Sequence, residues 1–353
     1  MEPVTHMLTG AVLARSGINR NAAYATWAMV IAAELPDIDT AWGWFGPVTG
    51  LEHHRGITHT FVALPFEAAA VTGAFWAWNR WRKKATAAPV SWGLLYFGCL
   101  VALLSHLLLD WTNNYGLRPF FPFDPKWYAG SFVFIFEPVM FLMLLVALGA
   151  PALFGLINSE VGAHKERFRG PGWAIMAMAG MVAFYGVRFT EHEKAVRIAT
   201  DNQPDGTTSV FASPHPLNPF VWSTVTDAPT FYQLGTVDAW RGIMQPHTPT
   251  DTLYKPETSL GILAAKRTYL GRIYLDWSMY PVISEERVLD DSNHPLTAVT
   301  FGDARFMYDV MGRDMRRNSP LSGTVTLDMA APEGQRVVET TMGGRKQGTG
   351  KSE

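Results

Sequence analysis

Val90-Ser91-Trp92-Gly93-Leu94-Leu95-Tyr96-Phe97-Gly98-Cys99-Leu100-Val101-Ala102-Leu103-Leu104-Ser105-His106-Leu107-Leu108-Leu109-Asp110 contains no Lys, Arg, Asp or Glu until its final residue. An α-helix needs about 20 such residues to cross the hydrocarbon core of a bilayer, so the stretch reads as a transmembrane span. His106 and Asp110 stand four apart near its end, and that spacing puts both side chains on one helix face. Ionisable groups at membrane depth are costly, so they are usually paired, metal-bound or lining a wet cavity. Two ligands one turn apart suit a shared metal ion. A core histidine beside a helix-capping aspartate is the alternative.

Three further stretches are apolar enough to span: Thr60–Asn79, Phe132–Ile157 and Gly172–Phe189. Before them, Thr5–Arg15 and Ala22–Leu35 read as two shorter helices. Ser16-Gly17-Ile18-Asn19 turns the chain between them into a tight hairpin. From about Thr190 the long apolar runs stop. Thr208–Ala212, Pro219–Val225 and Gly323–Leu327 are rich in β-branched and aromatic residues and read as strands. The expected fold is an all-α membrane helical bundle, with about four long spans plus the N-terminal short-helix hairpin, followed by a C-terminal β-containing extramembrane domain. The expected boundaries are 1–190 for the membrane-embedded helical metal-site domain, 191–343 for an α+β or β domain, and 344–353 for a disordered, glycine-rich tail.

The 353 residues are 48% hydrophobic and 17% charged, which is low in charge for a soluble domain. A net charge of -2 argues against nucleic acid as a partner, since a nucleic-acid binder needs a basic stripe. Cys99, the only cysteine, excludes an internal disulfide and reads as a small buried hydrophobe. Arg15, Arg20, Arg80, Arg82, Lys83, Lys84, Lys165, Arg167 and Arg169 flank the apolar segments. If all are cytoplasmic, as the positive-inside rule asks, His6, Asp37, His54, His59, His106 and Asp110 fall together at the outer ends of their helices. The expectation is an integral protein of a bacterial inner membrane, with the site and the C-terminal domain on the periplasmic side.

Two more patches hold metal-type ligands. Pro36 should end a helix, leaving Asp37 and Asp39 in a loop where both carboxylates can face a cation, although Pro-Asp is also a common solvated turn. Hard oxygen ligands of this kind suit zinc, manganese or magnesium. His53, His54 and His59 put three of the chain's ten histidines within seven residues, around Arg55-Gly56-Ile57-Thr58. Neutral imidazole is the commonest transition-metal ligand; a pH-sensing surface cluster is the alternative. The planar fork of Arg55 suits a phosphate. His6 opens the first short helix on the same expected face. Glu137 precedes Pro138 near the outer end of the third span, as a candidate ligand or general base.

Thr5-His6-Met7-Leu8-Thr9-Gly10, Leu35-Pro36-Asp37-Ile38-Asp39, His54-Arg55-Gly56-Ile57-Thr58-His59-Thr60 and Ser105–Asp110, followed by Asn114-Tyr115-Gly116, occur in an order and spacing that resembles the YdjM-type membrane-bound metal-dependent hydrolases. The resemblance runs from about residue 1 to 190. It continues through Pro122-Phe123-Asp124-Pro125-Lys126-Trp127-Tyr128 to Glu137-Pro138, although an Asp is more usual where Glu137 stands. More remotely, the pattern is similar to the zinc-dependent phospholipase C and single-strand nuclease superfamily of all-helical phosphate-ester hydrolases. The resemblance implies His6, Asp37, His59, His106 and Asp110 as metal ligands; His54 and Arg55 match the membrane family alone. The soluble enzymes also use a processed N-terminal amine and a His-x-x-x-Glu pair. This chain has residues before His6 and no such pair, so one or two ions are expected rather than three.

These readings imply a hydrolase holding a divalent metal, zinc above all, with manganese or magnesium as alternatives. Its substrate would be a phosphate ester or a lipid-linked molecule at the membrane surface, and membrane lipids its partners. The expected site comprises His6, Asp37, His54, His59, His106 and Asp110 around the metal. Arg55 would neutralise developing charge, with Glu137 or Asp39 as base. A membrane scaffold or sensor with a structural metal and a partner-binding outer domain is the alternative from another class.

Overall fold

The first helix starts where the Glu2 carboxylate accepts hydrogen bonds from the Val4 and Thr5 amides at 2.7 and 3.0 Å. Pro3 follows at the position where a missing N–H costs nothing. Pro3–Leu13 is α-helical, the chain reverses through Ala14–Asn21 with Gly17 at φ 146°, and Ala25–Glu34 is a second helix. Pro36 cannot donate the next α-helical bond, and the chain tightens into a 3-10 stretch over Leu35–Phe45. The computed structural model describes residues 1–82, 90–160, 171–215, 218–245, 247–307, 309–310, 313–314 and 321–347. Lys83, Lys84, Lys165, Arg167 and Arg169, which oriented the bundle in sequence, lie outside the described residues.

The chain divides into two units. Met1–Ile38 and Arg55–Thr190 form the first; Asp39–His54 and the chain from Glu191 onward form the second. Asp39–His54 thus groups with C-terminal residues, although its place in the sequence is among the helices.

In the first unit, the two short helices pack against Trp92–Thr112 and Leu64–Arg82 around Ala28, Met29, Ala32, Ala33, Leu95, Cys99, Ala102, Leu103 and Leu107. Small residues set this spacing: a Cβ on Gly10 would come 2.5 Å from the Met29 carbonyl oxygen and 2.8 Å from the Ala33 Cβ. Backbone cannot yield as a flexible side chain can. Gly10→Leu is therefore expected to force the hairpin apart and cost about 1–3 kcal/mol, read as a lower unfolding midpoint in detergent. An unchanged midpoint would show that this contact does not limit the packing.

Two helices of the described residues, Trp92–Thr112 and Gly172–Asp201, are long and apolar enough to cross a membrane, or up to three if the broken segment ending at Arg82 is counted as one. This corrects the expected four. The stretch expected from Thr60 becomes helical only at Leu64, and its 19 residues include Glu67, Arg80 and Arg82. The stretch expected from Phe132 becomes helical only at Pro138, and its described apolar part is Pro138–Pro151. Apolar composition had included the irregular chain that precedes each helix.

The second unit contains two antiparallel five-stranded sheets. The first runs β1 (Ser209–Pro214), β2 (Val221–Asp227), β3 (Phe231–Asp238) and β4 (Ile243–Met244), with β5 (Thr252–Tyr254) also on β3. The second has the order β12 (Arg345–Lys346), β11 (Val337–Met342), β10 (Gly323–Leu327), β7 (Pro295–Asp303), β6 (Pro281–Leu289). Asp309–Val310 and Arg313–Asp314 form a small ribbon, β8 and β9. Alternation shows in β10, where Gly323, Val325 and Leu327 face inward and Thr324 and Thr326 do not. Val225, Tyr232 and Leu234 pack with Tyr280, Ala304 and Met307. Helices Leu260–Arg267 and Tyr269–Trp277 cover β7 and β10. The C-terminal β domain expected from sequence is present. Arg345 and Lys346, expected in a disordered tail, pair with β11; residues 348–353 of that tail lie outside the described residues.

Candidate metal centre

Asp37, His59, His106 and Asp110 reach one point from three separate parts of the chain. Asp37 follows the helix-ending Pro36. His59 ends the short 3-10 turn Ile57–His59, fixed by the Thr60 hydroxyl, which donates to the Ile57 carbonyl at 2.8 Å and accepts from the Ala63 amide at 3.1 Å. His106 and Asp110 are one turn apart on Trp92–Thr112. One ligand atom from each of the four lies within 4.8 Å of all the others.

The chemistry of the donor atoms points to a cation. His106 Nδ1 is 2.7 Å from the Ala33 carbonyl. A carbonyl only accepts, so Nδ1 carries the proton and Nε2 of the neutral ring presents a lone pair. That lone pair faces His59 Nε2 at 3.1 Å, Asp37 Oδ1 at 3.7 Å and Asp110 Oδ2 at 3.6 Å. His59 Nε2 is itself 3.3 Å from Asp37 Oδ1 and 3.5 Å from Asp110 Oδ2. His59, His106 and Asp110 are buried, and Asp110 Oδ2 has no hydrogen-bond partner there. Carboxylate oxygens and imidazole nitrogens gathered out of water need a proton or a cation between them. A divalent ion fits this set.

The other carboxylate oxygen of Asp110 is held from behind. Arg55 Nη2 donates to Asp110 Oδ1 at 2.9 Å, and the Met1 amino group also donates to it. Arg55 Nη1 donates to the Asn113 side-chain oxygen at 3.2 Å and to the Gly116 carbonyl at 2.9 Å, and the guanidinium lies 4.8 Å over the Tyr115 ring. The Asn113–Gly116 turn is thus the seat of Arg55. Arg55, expected to neutralise developing charge, has its charge matched to Asp110 and both terminal nitrogens engaged by protein atoms.

His6 lies beside the four. Its ring stacks on His106 at 3.8 Å, and Nε2 is 3.4 Å from Asp110 Oδ1. The ring is buried with neither nitrogen hydrogen-bonded. Asp39 and His54 were expected as base and ligand. They bond each other, His54 Nδ1 to Asp39 Oδ1, at 3.0 Å. Glu137, the expected base, is also engaged elsewhere. It accepts from the amide of Phe134, in the irregular chain before the helix, at 2.9 Å, and it pairs with buried Arg188 at 3.1 Å. Arg188 in turn donates to the Phe132 carbonyl at 3.0 Å. Sequence reading missed this pairing because Arg188 stands 51 positions later, in another apolar helix.

Glu34 was missed as a site residue. It ends the helix whose Ala33 carbonyl orients His106, one turn before Asp37, and its Oε2 is buried without a hydrogen-bond partner. Its position just before Leu35-Pro36-Asp37 was the available signal, since i to i+3 neighbours share a helix face.

A family model described as YdjM inner membrane protein matches residues 1–195. The uncharacterized protein YfhP of Bacillus subtilis (strain 168) is 26% identical over 121 residues, which cover 34% of this chain and 35% of that protein. The chain therefore spans about a third of that relative's length. No solved structure matches.

Proposed function

The chain belongs to the YdjM inner membrane protein family, and from that premise we propose that it is a membrane-bound, metal-dependent hydrolase of phosphate esters, with a lipid or lipid-linked substrate. The observation that carries the reading is the convergence of four metal-type ligand groups on one buried point in an integral membrane protein.

Asp37, His59, His106 and Asp110 hold the ion, and His6 stands next to them as a further ligand. Two imidazoles and two carboxylates suit zinc best, with manganese also accommodated. When bound, such an ion lowers the pKa of a coordinated water towards neutrality and polarises a phosphoryl oxygen. Arg55 holds and orients Asp110, as partners behind metal ligands commonly do. Beside the expected Glu137 and Asp39, Glu34, with Oε2 buried one turn before Asp37, is a carboxyl that would take a proton from water at the site. Ile57 and Phe61, which flank His59, are 55% and 45% exposed. The Phe61 ring packs at a tilt against Phe120, centroids 5.4 Å apart, and nearby Phe123 is 83% exposed. An apolar rim beside a charged site favours a substrate with an acyl or isoprenoid tail and a phosphate head group. The distribution of Lys and Arg around the helices supports a site on the outer face of the membrane.

Purified protein in detergent or nanodiscs should hydrolyse a phosphodiester such as bis(p-nitrophenyl) phosphate or a phospholipid. It should stop when the metal is chelated and recover with zinc or manganese. Tightly bound metal, unfolding on chelation and no turnover on any phosphate ester would instead identify a structural metal in a membrane scaffold.

A further inference from the structure

Asp39–His54 lies in the sequence between two residues of the metal cluster, Asp37 and His59, yet it belongs to the second unit. Within that unit it is gripped at several points. Tyr269 donates to the Glu52 carboxylate at 2.5 Å, and its oxygen lies 3.4 Å from the Thr49 hydroxyl. The Gln347 side-chain oxygen accepts from the Val48 amide at 2.9 Å, and its amide nitrogen donates to the Thr49 hydroxyl at 3.3 Å and the Phe45 carbonyl at 3.5 Å. Gly46 makes that approach possible. Its φ is +126°, and a Cβ there would come within 2.3 to 2.6 Å of the Gln347 amide group. The two ends of the segment are clipped together by Asp39 and His54 at 3.0 Å. Burial, and then the Glu52 carboxylate, push the Tyr269 phenol up to about 12, so it remains a donor at any physiological pH.

We propose that Asp39–His54 is an arm through which the C-terminal domain sets the separation of Asp37 from Arg55 and His59, with Tyr269 and Gln347 as positioning residues for the metal centre. The physical basis is chain connectivity. Asp37 is two residues before the arm, Arg55 is the residue after it, and His59 follows four residues later. Closing a loop costs entropy whenever the two sides of a site must be brought together. An arm already folded and clipped at its neck has met that cost before the ion arrives. Domain contacts that hold the arm therefore raise metal affinity without touching the metal. The inference rests on the assignment of Asp37 and His59 as ligands.

The test uses full-length protein in detergent, with Tyr269→Phe, Gln347→Ala and the double variant beside wild type. Each substitution removes hydrogen bonds to the arm and leaves the β-sheets untouched. Metal release to a competing chelator is followed, together with the visible absorption of the cobalt(II)-substituted protein. The double variant is expected to release metal about ten-fold faster, in line with the loss seen when groups supporting metal ligands are removed. Its cobalt spectrum should be altered while its thermal unfolding is unchanged. Restoring Gln347 alone should recover part of the difference. Wild-type release and spectrum in the double variant, with limited proteolysis showing the arm freed, would overturn the inference and leave the metal centre standing. Wild-type protein that binds neither zinc nor cobalt would remove the metal reading itself, and this inference with it.

Discussion

His106→Ala is expected to empty the metal centre. Purified variant protein should hold metal more than about 100-fold less tightly than wild type, since loss of a direct ligand should exceed the 10- to 100-fold loss typical of a supporting partner. Three facts make His106 the residue of choice. Its proton is fixed on Nδ1 by the Ala33 carbonyl at 2.7 Å, its Nε2 faces the other three ligand atoms, and its ring is buried. Removing it also leaves the Ala33 carbonyl and the His6 ring without their partner, so metal content is measured alongside circular dichroism. His106→Gln, which retains bulk and a polar end, separates loss of ligation from loss of packing. Equal metal content in wild type and both variants, or none in any of them, would remove the basis for the proposed chemistry.

The second large effect lies in the C-terminal domain. Asp303→Asn is expected to cost about 3–5 kcal/mol of that domain's stability, because it leaves a buried guanidinium without its counter-charge. Asp303 and Arg305 are both buried, with Arg305 Nη2 2.8 Å from Asp303 Oδ2 and Nε 3.0 Å from both carboxylate oxygens. The carboxylate also accepts from the Ser278 hydroxyl at 2.6 Å and the Met279 amide at 3.0 Å. The guanidinium packs over Trp277 and Phe306. Burial opposes ionisation of Asp303, but the Arg305 charge and these donors outweigh it and hold the carboxyl below its usual range. A depressed folded-state pKa contributes stability above the unfolded value of about 3.9 and loses it as pH falls towards the folded one. The wild-type domain should therefore weaken below about pH 4, and Asp303→Asn should flatten that acid limb. Denaturant unfolding followed by tryptophan fluorescence checks both; a loss below about 1 kcal/mol would mean that the pair is not a major support. Replacing both partners by apolar residues should cost less than removing the aspartate alone.

The helical half was legible where chemistry was local. His106 and Asp110 needed only their spacing, and Pro36 announced the turn that frees Asp37. The strand segments showed their β-branched character, and Gly323–Leu327 occurs as a strand with the expected limits. The spans were counted too high because composition over a window does not register where a helix begins. Leu64 and Pro138 start their helices several residues inside the apolar runs. Glu137 and Asp39 were read as candidate bases without sight of the groups they bond. Arg188 and His54 are those partners, and each is brought there by folding.

Residue type and order by themselves determined that this chain enters a membrane, that its metal-type ligands cluster in its first third, and that a β-rich domain follows. These properties depend on local composition and on periods of two or about four residues. The tertiary structure alone decided which ligands meet, that the Arg55 charge serves Asp110, that Glu34 faces inward, and that Asp39–His54 folds with residues more than 200 positions away. Such pairings are set by long-range packing and by the need of each buried charge for a partner, and no window along the sequence contains both members.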